Sequence, residues 1–506
     1  MDIAKELSGI KLDPHSAVPL YLQIAKIIAE KIENQLFPEE TKLPPERNLA
    51  KIFAVSRTTA INAYRHLEEQ ELISTKIGSG TYVSKIHSSQ VKATPPVPWE
   101  QLFVPHLKNP LSSILRDLVA AFSVPGSIPL AAGMPDPALY PVSIFEDLLT
   151  KHLPNLSPSD LGHIPIEGYQ PLRQSLAKMQ TAHGIVAEPD NILMLTGSQQ
   201  GLYLITRTLI EPGDYVVVDS PTYIGAIQAF QASGARILSL PRSSNLPLEM
   251  LEDYLIRYRP KFFYTIPTFQ NPTGRVLSLN QRRELLDLAA KHRLVIIEDD
   301  PYSHLHYDQP PPPSLKALDH YGGVLYLSTF SKIIFPGLRT GWLVGPPSVI
   351  NRLAQEKQYI DMHSNNLTQW LLHLFLESGN LDSHLTFVRQ EYKKRRDAMT
   401  SSIRRFCGDA LSFTVPQGGL YLWCQINANL TSNRLLHEAS KAGVTFVPGE
   451  AFYTNQWGSQ EIRLCFSAHE EAKLIQGIKR IAKILNQSNW IKQQEDLTFP
   501  VNPPII

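Results

Sequence analysis

The spacing of apolar residues near the N-terminus predicts three helices. Over residues 18–36, apolar side chains recur at steps of three and four, which is the period of one helix face. Pro44-Pro45 predicts the start of a second helix, because proline is tolerated where the first N–H groups of a helix have no partner. Ser56 is a good N-cap for a third helix over residues 57–69. In that helix, the positions expected to face inward are Ala60, Ala63 or Tyr64, and Leu67.

A β-hairpin is predicted directly after the third helix. Strand-like runs at residues 72–76 and 81–83 bracket a turn with glycine at positions 78 and 80. The order helix, helix, turn, helix and hairpin predicts a winged helix-turn-helix in this part of the chain.

Strand-like and helical segments alternate along the rest of the chain. The short β-rich runs lie at residues 192–195, 214–219, 236–240, 262–266, 294–297 and 324–327. A helical pattern at residues 279–292 lies between two of them. This alternation predicts an α/β fold with a mostly parallel sheet covered by helices. In such sheets ligands bind beyond the carboxyl ends of the strands, and the chemically unusual residues of this sequence fall at those ends.

Chain length and proline positions predict the domain boundaries. With 506 residues, the chain is longer than one compact domain. The prolines between positions 95 and 110 indicate an extended, semi-rigid linker. A second proline run, at 310–313, is interpreted as a surface loop. The predicted parts are a winged-helix domain at residues 1–87, a linker at 88–110, an α/β domain at 111–486 and a C-terminal tail at 487–506.

Composition excludes several classes of protein. Hydrophobic residues make up 43% and charged residues 19%, which is typical of globular proteins and excludes a wholly disordered, collagen-like or coiled-coil chain. No apolar run reaches the length of about 18 residues that a membrane span needs, and the first residues lack the apolar core of a signal peptide. Cys407, Cys424 and Cys465 have no metal-ligand spacing. We interpret them as reduced residues of a cytoplasmic protein, with neither a disulfide nor a metal site.

The predicted winged helix carries a basic face. Between Arg47 and Leu67 the sequence has no acidic residue, whereas acids cluster before and after this window. Hydroxyl side chains and arginines at the start of the third helix can reach phosphates and base edges in a major groove. A solvated helix face is the alternative interpretation of these charges.

The same segment resembles a known DNA-binding family. Residues 43–83, LPPERNLAKIFAVSRTTAINAYRHLEEQELISTKIGSGTYV, closely resemble the DNA-binding domain of the GntR family of bacterial transcription factors. Ile61 stands where some relatives carry another arginine, so base specificity at that position is left open. The resemblance implies DNA contacts by Arg47, Ser56, Arg57, Thr58, Thr59 and Gly80.

A lysine near a predicted strand end suggests a covalently bound cofactor. Lys332 ends the segment YLSTFSK, with Thr329 three residues before it and Arg339, in PGLRTGW, seven residues after it. A lysine amine can form a Schiff base with a carbonyl compound. A lysine flanked by a hydroxyl and a guanidinium suggests a phosphorylated aldehyde, pyridoxal 5′-phosphate. Taken alone, Lys332 has the simpler interpretation of a surface lysine.

Other segments carry groups that suit the same ligand. Residues 196–200, TGSQQ, follow a strand and open a helix whose free N–H groups can bind phosphate. Asp299 follows an apolar strand and can pair with a protonated pyridine nitrogen. Arg463 lies within an apolar strand and needs a carboxylate partner from the protein or from a ligand. The candidates for ring-hydroxyl contact or ring stacking are Tyr302, Asn271 and Tyr223.

In this order, the candidate residues resemble the layout of fold-type I aminotransferases, from about Leu111 to Leu485. The resemblance implies a large, mostly parallel α/β part, a small α+β part, and Lys332 as the catalytic lysine that forms the aldimine. It also implies a substrate-carboxylate site at Arg463 and Gly133. The cofactor-binding residues that it implies are Ser198, Gln199, Tyr223, Asn271, Asp299, Tyr302, Thr329, Lys332 and Arg339.

One position departs from the aminotransferase pattern. The family usually has a tyrosine five residues before the glycine of its G…LR element, where it reaches the phosphate bound by the partner subunit. His163 occupies this position ahead of Gly168. The change either alters the contact between subunits or is local and without effect.

The two halves together resemble the MocR/GabR group of bacterial regulators, over nearly the whole chain except the last 20 residues. The resemblance implies a head-to-tail homodimer acting on a double-stranded DNA operator. The main hypothesis is a transcriptional regulator that senses an amino acid or amine through an external aldimine with pyridoxal 5′-phosphate. The alternatives are an active aminotransferase that carries a DNA-binding domain, and a regulator that senses pyridoxal phosphate itself.

Overall fold

The chain divides into two units, residues 1–103 and 104–506, and each is described by itself. The structure is a computed structural model that describes residues 3–14, 16, 18–76, 79–84, 102, 126–131, 133–241 and 246–487. The predicted linker, 88–110, and the predicted tail, 487–506, lie outside the described residues except for residues 102 and 487. Ile77 and Gly78 of the predicted hairpin turn also lie outside them.

The first unit contains the predicted helices and hairpin. Its elements are α1 (Ile3–Leu7), α2 (Leu20–Glu33), α3 (Glu46–Ile52), α4 (Arg57–Glu69), β1 (Ile73–Lys76) and β2 (Gly80–Val83). The bounds of α4 are those predicted, because the Ser56 hydroxyl caps it by accepting a hydrogen bond from the Thr59 N–H at 3.1 Å. β1 and β2 pair antiparallel. The unit is a winged helix-turn-helix, as predicted.

One face of α4 anchors this helix in the first unit. Ala60, Ala63, Tyr64 and Leu67 are all buried, and they belong to one apolar cluster with residues of α2 and α3. Burial of this face leaves the opposite face of α4, including Arg57, exposed to solvent.

The second unit is built on a mostly parallel sheet. The strands of this unit are β3 (Ile128–Pro129), β4 (Ile192–Leu195), β5 (Tyr215–Ser220), β6 (Arg236–Pro241), β7 (Phe262–Thr265), β8 (Val295–Asp299), β9 (Val324–Thr329), β10 (Gly341–Val344), β11 (Leu411–Phe413), β12 (Tyr421–Ile426), β13 (Val444–Thr445), β14 (Val447–Pro448) and β15 (Glu461–Cys465). Within the described residues, the large sheet has the order β4-β10-β9-β8-β7-β5-β6. Only β10 runs antiparallel to its neighbours there, which confirms the predicted mostly parallel sheet.

Helices of the second unit pack on both faces of the large sheet and beside the smaller strands. They are α5 (Val142–His152), α6 (Gln170–Ala182), α7 (Ser198–Leu209), α8 (Ile224–Ala232), α9 (Leu248–Tyr258), α10 (Leu279–His292), α11 (Leu315–Leu318), α12 (Pro347–Gln358), α13 (Asn366–Glu377), α14 (Asn380–Phe406), α15 (Ser432–Lys441) and α16 (Glu471–Leu485). Because both sheet faces are covered, central strands are apolar throughout: Val216, Val217 and Val218 of β5 are fully buried.

Two strands extend further than predicted, and each of them ends at a candidate cofactor-binding residue. β8 ends at Asp299 and β9 ends at Thr329, each two residues beyond its predicted end. The strands are parallel neighbours, so both residues lie at the same edge of the sheet. This edge is the carboxyl edge, where the fold leaves room for a ligand.

A smaller antiparallel sheet, in the order β11-β12-β15-β14, belongs to the rest of the second unit, and β3 pairs with β13. The proline run at 310–313 lies in a partly exposed loop between β8 and α11, as predicted. Cys407, Cys424 and Cys465 are buried and free. In the described ranges, none of the helices combines the length and hydropathy needed to cross a membrane.

Candidate functional site

A pocket of about 70 Å³ lies at the carboxyl edge of the large sheet. Its lining contains most of the residues that the sequence analysis selected, namely Ser198, Tyr223, Asn271, Asp299, Tyr302, Thr329 and Lys332. Three residues that were not selected, Ile266, Pro301 and Tyr421, complete the lining. The start of α7 and the loops after β7, β8 and β9 thus converge on one place.

Lys332 lies three residues after β9. Its Nζ donates a hydrogen bond to the Gly133 carbonyl at 2.8 Å. Burial lowers the pKa of the Lys332 amine to about 8, and the guanidinium groups of Arg463 and Arg339 act in the same direction. A lysine with a lowered pKa is neutral in part of the population near neutral pH, which makes it a nucleophile.

Asp299 is a buried carboxyl, 3% exposed. Its Oδ2 accepts a hydrogen bond from the Tyr264 hydroxyl at 2.7 Å, and its Oδ1 has no hydrogen-bond partner among the described residues. Burial raises the pKa of Asp299 to about 7, against the opposing effect of the Tyr264 hydrogen bond. One oxygen is therefore held by the protein and one is free for a ligand.

The start of α7 and Arg339 lie at one end of the site. Gly197 has a φ of 106°, which favours glycine, and a Cβ there would lie 2.8 Å from Arg339 Nη2. That Nη2 donates to the Thr196 carbonyl at 3.0 Å. Thr329 lines the pocket, but its hydroxyl bonds to the Thr340 carbonyl at 3.0 Å. Free N–H groups at a helix start together with a guanidinium suit a phosphate group.

Three tyrosines lie around the middle of the pocket. The Tyr223 hydroxyl donates to the Gln199 side-chain oxygen at 3.3 Å. The Tyr302 hydroxyl donates to the Tyr421 hydroxyl at 3.2 Å. Burial raises the pKa of all three phenols, so each stays protonated at neutral pH.

Arg463, in the middle of β15, is 5% exposed. Its Nη1 donates to Asn271 Oδ1 at 2.7 Å and its Nη2 to the Ala131 carbonyl at 2.6 Å. The guanidinium carbon lies 4.1 Å from the ring centre of Tyr421 and 4.8 Å from that of Phe452. Among the described residues, no carboxylate pairs with this guanidinium, and its Nε has no hydrogen-bond partner.

Gly133 lies between Lys332 and Tyr421 and contacts both. Its carbonyl accepts the hydrogen bond from the Lys332 amine. A Cβ at this position would lie 1.7 Å from the Tyr421 hydroxyl oxygen, so only glycine fits here.

His163, the departure from the aminotransferase pattern, does not line the pocket. Its ring is exposed, and its Nδ1 lies 3.1 Å from His363 Nε2. Its contact is thus with the loop between α12 and α13 of the same chain.

The first unit exposes four of the predicted DNA-binding residues around the start of α3 and α4. They are Arg47, Ser56, Arg57 and Thr58. Arg57 forms an ion pair with Glu46 at 3.3 Å, in which both side chains are solvent-accessible. Exposed ion pairs are weak, so Arg57 can exchange Glu46 for a DNA phosphate.

Ser56 and Thr59 use their hydroxyl groups within the helix cap. The two hydroxyl oxygens are 2.8 Å apart, and the Ser56 oxygen also accepts from the Thr59 N–H. Both side chains therefore stabilise the start of α4, the part of the helix that is predicted to contact DNA.

Two lysines near Gly80 were missed by the sequence analysis. Gly80 has a φ of 121°, and a Cβ there would lie 2.8 Å from Lys42 Cε. The Nζ atoms of Lys42 and Lys76 lie 5.7 Å and 5.1 Å from the ring centre of Tyr82. Lys76 ends the predicted strand just before the glycine turn and pairs with Gly80. Its position was the signal for a basic wing that the sequence offered.

In the pocket, the sequence analysis missed Tyr264, Tyr421 and Phe452. Tyr264 stands in FFYT, an apolar run that predicts only a buried strand. Its task becomes visible from the pairing of β7 with β8, which brings its hydroxyl to Asp299. Pairing of β12 with β15 likewise brings Tyr421 near Arg463.

Two protein families match this chain. Residues 143–481 match the family described as aminotransferase class I and II. Residues 20–83 match the family described as bacterial regulatory proteins, gntR family.

Individual relatives match over most of their length. The uncharacterized HTH-type transcriptional regulator YisV of Bacillus subtilis is 34% identical over 92% of this chain and 96% of its own. Aromatic-amino-acid aminotransferase 1 of Thermococcus litoralis is 35% identical over 78% of this chain and 96% of its own. The solved structure of Pyrococcus horikoshii kynurenine aminotransferase, a complex with PMP, has 36% identity and a TM-score of 0.73, covering 77% of this chain and 98% of that one.

Fold and pocket therefore define an aminotransferase-like protein with an attached winged-helix domain. The chain belongs to the aminotransferase class I and II family and, through its gntR-family domain, to the MocR-type bacterial regulators in which the two are fused. The gntR-family domain implies DNA binding, and the aminotransferase-like domain implies binding of a small molecule.

Proposed function

We propose that this chain is a transcriptional regulator that binds a DNA operator, holds pyridoxal 5′-phosphate on Lys332 and senses an amino acid or amine. The pocket carries the proposal. It is lined by a lysine of lowered pKa and a half-paired aspartate. Asn271 of the same lining accepts a hydrogen bond from Arg463, which has no acidic partner among the described residues. A DNA-binding family domain precedes this pocket in the same chain.

The residues present fit pyridoxal 5′-phosphate. The free, buried Oδ1 of Asp299 suits a protonated pyridine nitrogen. The helix start at Gly197 and the Arg339 guanidinium beside it suit the phosphate. Tyr223 and Asn271 line the same pocket as the Lys332 amine, at which the aldehyde would be held.

Bound pyridoxal 5′-phosphate supplies an aldehyde carbon that reacts with primary amines and a ring that withdraws electrons. Lys332 would supply the amine that holds it and, when displaced, a base that can carry a proton. In the chain without a ligand, burial lowers the pKa of this amine to about 8. Tyr264 holds Oδ2 of Asp299, which leaves Oδ1 to accept a hydrogen bond. Tyr302 and Tyr421 stay protonated and can donate one.

Arg463 is the proposed site of the effector carboxylate. A buried guanidinium is stabilised when a carboxylate pairs with it. Among the described residues the Arg463 guanidinium bonds to neutral oxygens only, those of Asn271 and Ala131. An amino acid whose carboxylate reaches Arg463 would place its amine toward Lys332, across the same pocket.

An aminotransferase that carries a DNA-binding domain is the second candidate. It is favoured by the presence of Lys332, Asp299 and Arg463 in one chain and by the 35% identity to a protein named as an aminotransferase. Repeated turnover with a keto acid separates this candidate from the regulator. A regulator that senses pyridoxal phosphate itself would show DNA affinity that depends on the cofactor alone, with no effect of an amine.

We further propose that the regulator works as a homodimer in the cytoplasm, with the head-to-tail arrangement implied by its family. The segment after α12 supports a second copy of this chain near the pocket. Tyr359, Ile360 and Met362 are 84%, 46% and 53% exposed. Asp361, between them, accepts a hydrogen bond from Gln200 of α7 at 2.9 Å.

The test is a visible absorption titration of the full chain with pyridoxal 5′-phosphate and a panel of amino acids and amines. A Schiff-base band that shifts with one ligand, together with altered affinity for DNA selected from a random pool, is the expected result. The ligand can shift DNA binding only by its differential affinity for two states of the protein. No band in the wild type, or the same band in Lys332→Ala, would refute the assignment of Lys332.

A further inference from the structure

A second and larger cavity, of about 580 Å³, lies beside the loop that follows β8. Its walls come from the end of α6, from residues 300–306, from the proline run at 310–313 and from Arg389 of α14. Cavities of roughly 300–1,000 Å³ are the size that holds small molecules. Neither Lys332 nor any other candidate cofactor residue belongs to its lining.

His304 supplies a polar surface in this cavity. It is 7% exposed, and no described residue hydrogen-bonds to its ring nitrogens. Its ring stands edge-on to that of His183, with 4.9 Å between the ring centres. Burial, together with the neighbouring His183 and Arg389, lowers the pKa of His304 to about 3. At neutral pH its imidazole is therefore neutral and can both donate and accept a hydrogen bond.

Arg389 gives the cavity a positive charge. Its Nε donates to the His304 carbonyl at 2.7 Å, and no carboxylate forms an ion pair with it in the described part of the chain. Asp300 also lines the cavity. Both of its oxygens are already in use, because they accept hydrogen bonds from the Ser303 N–H and the Tyr326 hydroxyl. The cationic group that lines the cavity and can pair with a ligand carboxylate is thus the Arg389 guanidinium.

The proline run forms an apolar wall that is held in place by buried charges. Arg282 Nη1 donates to the Pro313 carbonyl at 3.1 Å, and Glu298 accepts a hydrogen bond from the Leu315 N–H at 2.8 Å. Arg282 and Glu298 are 0% and 1% exposed. Since proline has a fixed φ and no N–H, this wall offers a ligand a rigid apolar surface.

We propose that this cavity is a second small-molecule site, for a carboxylate with a flat apolar body. The carboxylate would pair with Arg389, and the body would lie between the proline wall and the His304 ring. The site is distinct from the cofactor pocket, although the loop after β8 lines both. Asp299 and Tyr302 line the pocket, whereas Asp300 and Ser303 line the cavity. This inference does not depend on the proposed function.

The probe for this site is benzoate, with benzamide as its uncharged analogue, tested on the full chain by ligand-observed NMR and calorimetry. We expect benzoate to bind more tightly than benzamide. Arg389→Gln should weaken benzoate binding by roughly tenfold or more, because a charge-assisted hydrogen bond is lost. Arg404→Gln is the matched control, an exposed arginine on the same helix, and should leave binding unchanged.

Two further variants keep the test decisive. The binding that Arg389→Gln weakens should persist in Arg463→Gln. Loss of binding in Arg463→Gln but not in Arg389→Gln would place benzoate in the cofactor pocket and overturn the proposal. If Arg389→Gln fails to fold, Ala182→Trp replaces it, since exposed Ala182 stands at the rim of the cavity and a large side chain there should weaken binding. Equal affinity in wild type and in folded Arg389→Gln or Ala182→Trp, or equal affinity for benzoate and benzamide, would also overturn it.

Discussion

At the scale of single residues, the site is distinguished by buried polar and charged groups whose burial lowers the stability of the fold. An unpaired polar atom taken out of water costs about 1–3 kcal/mol. Asp299 Oδ1 and Arg463 Nε are two such atoms among the described residues. Asp299 lines the pocket and Arg463 bonds to Asn271 of its lining. Perturbed and incompletely paired polar groups concentrated in this way are typical of binding sites.

Lys332 gives a prediction on the stability of the cofactor-free chain. Its pKa of about 8 in the folded state lies below its usual 10.5, so between these values the unfolded chain binds more protons and stability from this group rises with pH. At pH 7 the buried amine is charged in most of the population, which lowers stability. We therefore expect cofactor-free Lys332→Met to melt at a higher temperature than wild type at pH 7.

The difference in melting temperature should shrink as the pH rises from 8 toward 10.5. Lys26→Met, which removes an exposed lysine on α2, is the control and should show no such pH dependence. Differential scanning calorimetry measures both. If the difference in melting temperature between Lys332→Met and wild type stays constant across this pH range, the lowered pKa of Lys332 is contradicted.

Arg463 gives a prediction on ligand choice. Arg463→Gln should weaken the binding of an amino acid by roughly tenfold or more, and it should leave the affinity for the matching amine without a carboxylate nearly unchanged. Absorption titrations of the cofactor-loaded chain give both affinities. If the two ligands lose affinity equally, Arg463 acts on the shape of the pocket, through Tyr421 and Phe452, and not on the carboxylate.

The candidate residues that the sequence analysis found and those that it missed differ in a physical way. Lys332, Asp299 and Arg463 are charged residues next to or within apolar strands, and a charge there needs an explanation. Tyr264 and Tyr421 are aromatic residues in strands, where aromatic residues are common. Only the pairing of strands distant in sequence shows that their hydroxyl groups meet Asp299 and Tyr302.

At the scale of elements, two helices with side-chain caps have the predicted bounds, residues 57–69 and 279–292. α4 follows the Ser56 cap, and α10 follows Ser278, whose hydroxyl accepts from the Gln281 N–H in a capping box. Caps are local chemistry, so the sequence shows them. β8 runs on through two acidic residues because Glu298 and Asp299 find buried partners from α11 and β7, which no local pattern shows.

The exposed start of α4 gives a prediction on DNA binding. Arg57→Ala should weaken operator binding by roughly tenfold, the usual effect of one specific arginine contact. Glu46→Gln, which removes the present ion-pair partner of Arg57, should leave binding equal or strengthen it. Fluorescence anisotropy with labelled DNA measures both. Unchanged affinity in Arg57→Ala would remove this arginine from the DNA interface.

The basic wing gives a separate prediction on salt dependence. Lys42 packs beside Gly80 and places its ammonium near the Tyr82 ring. If its charge lies against a phosphate, Lys42→Gln should weaken binding to all sequences alike and reduce the slope of log affinity against log salt by about one. Lys26→Gln on α2 is the control. A slope that matches wild type would exclude a phosphate contact at Lys42.

At the scale of the whole molecule, the chain joins a DNA-binding unit and a ligand-binding unit, and two copies would give two of each. The exposed segment after α12 is where we expect the second copy. Isolated exposed apolar residues are normal, but Tyr359, Ile360 and Met362 are neighbours, and Asp361 among them is bonded to α7 of the pocket. An interface here would lie directly against the start of the cofactor site.

This placement links assembly to cofactor binding. Met362→Asp puts a charge into the proposed apolar interface, so we expect a shift from dimer to monomer by analytical ultracentrifugation and, because α7 loses its support, weaker binding of pyridoxal 5′-phosphate. Val186→Asp changes an apolar residue that is 88% exposed outside this segment, and it should alter neither property. A monomeric Met362→Asp chain with unchanged cofactor affinity would separate the interface from the site. An unchanged dimer would place the interface elsewhere on the second unit.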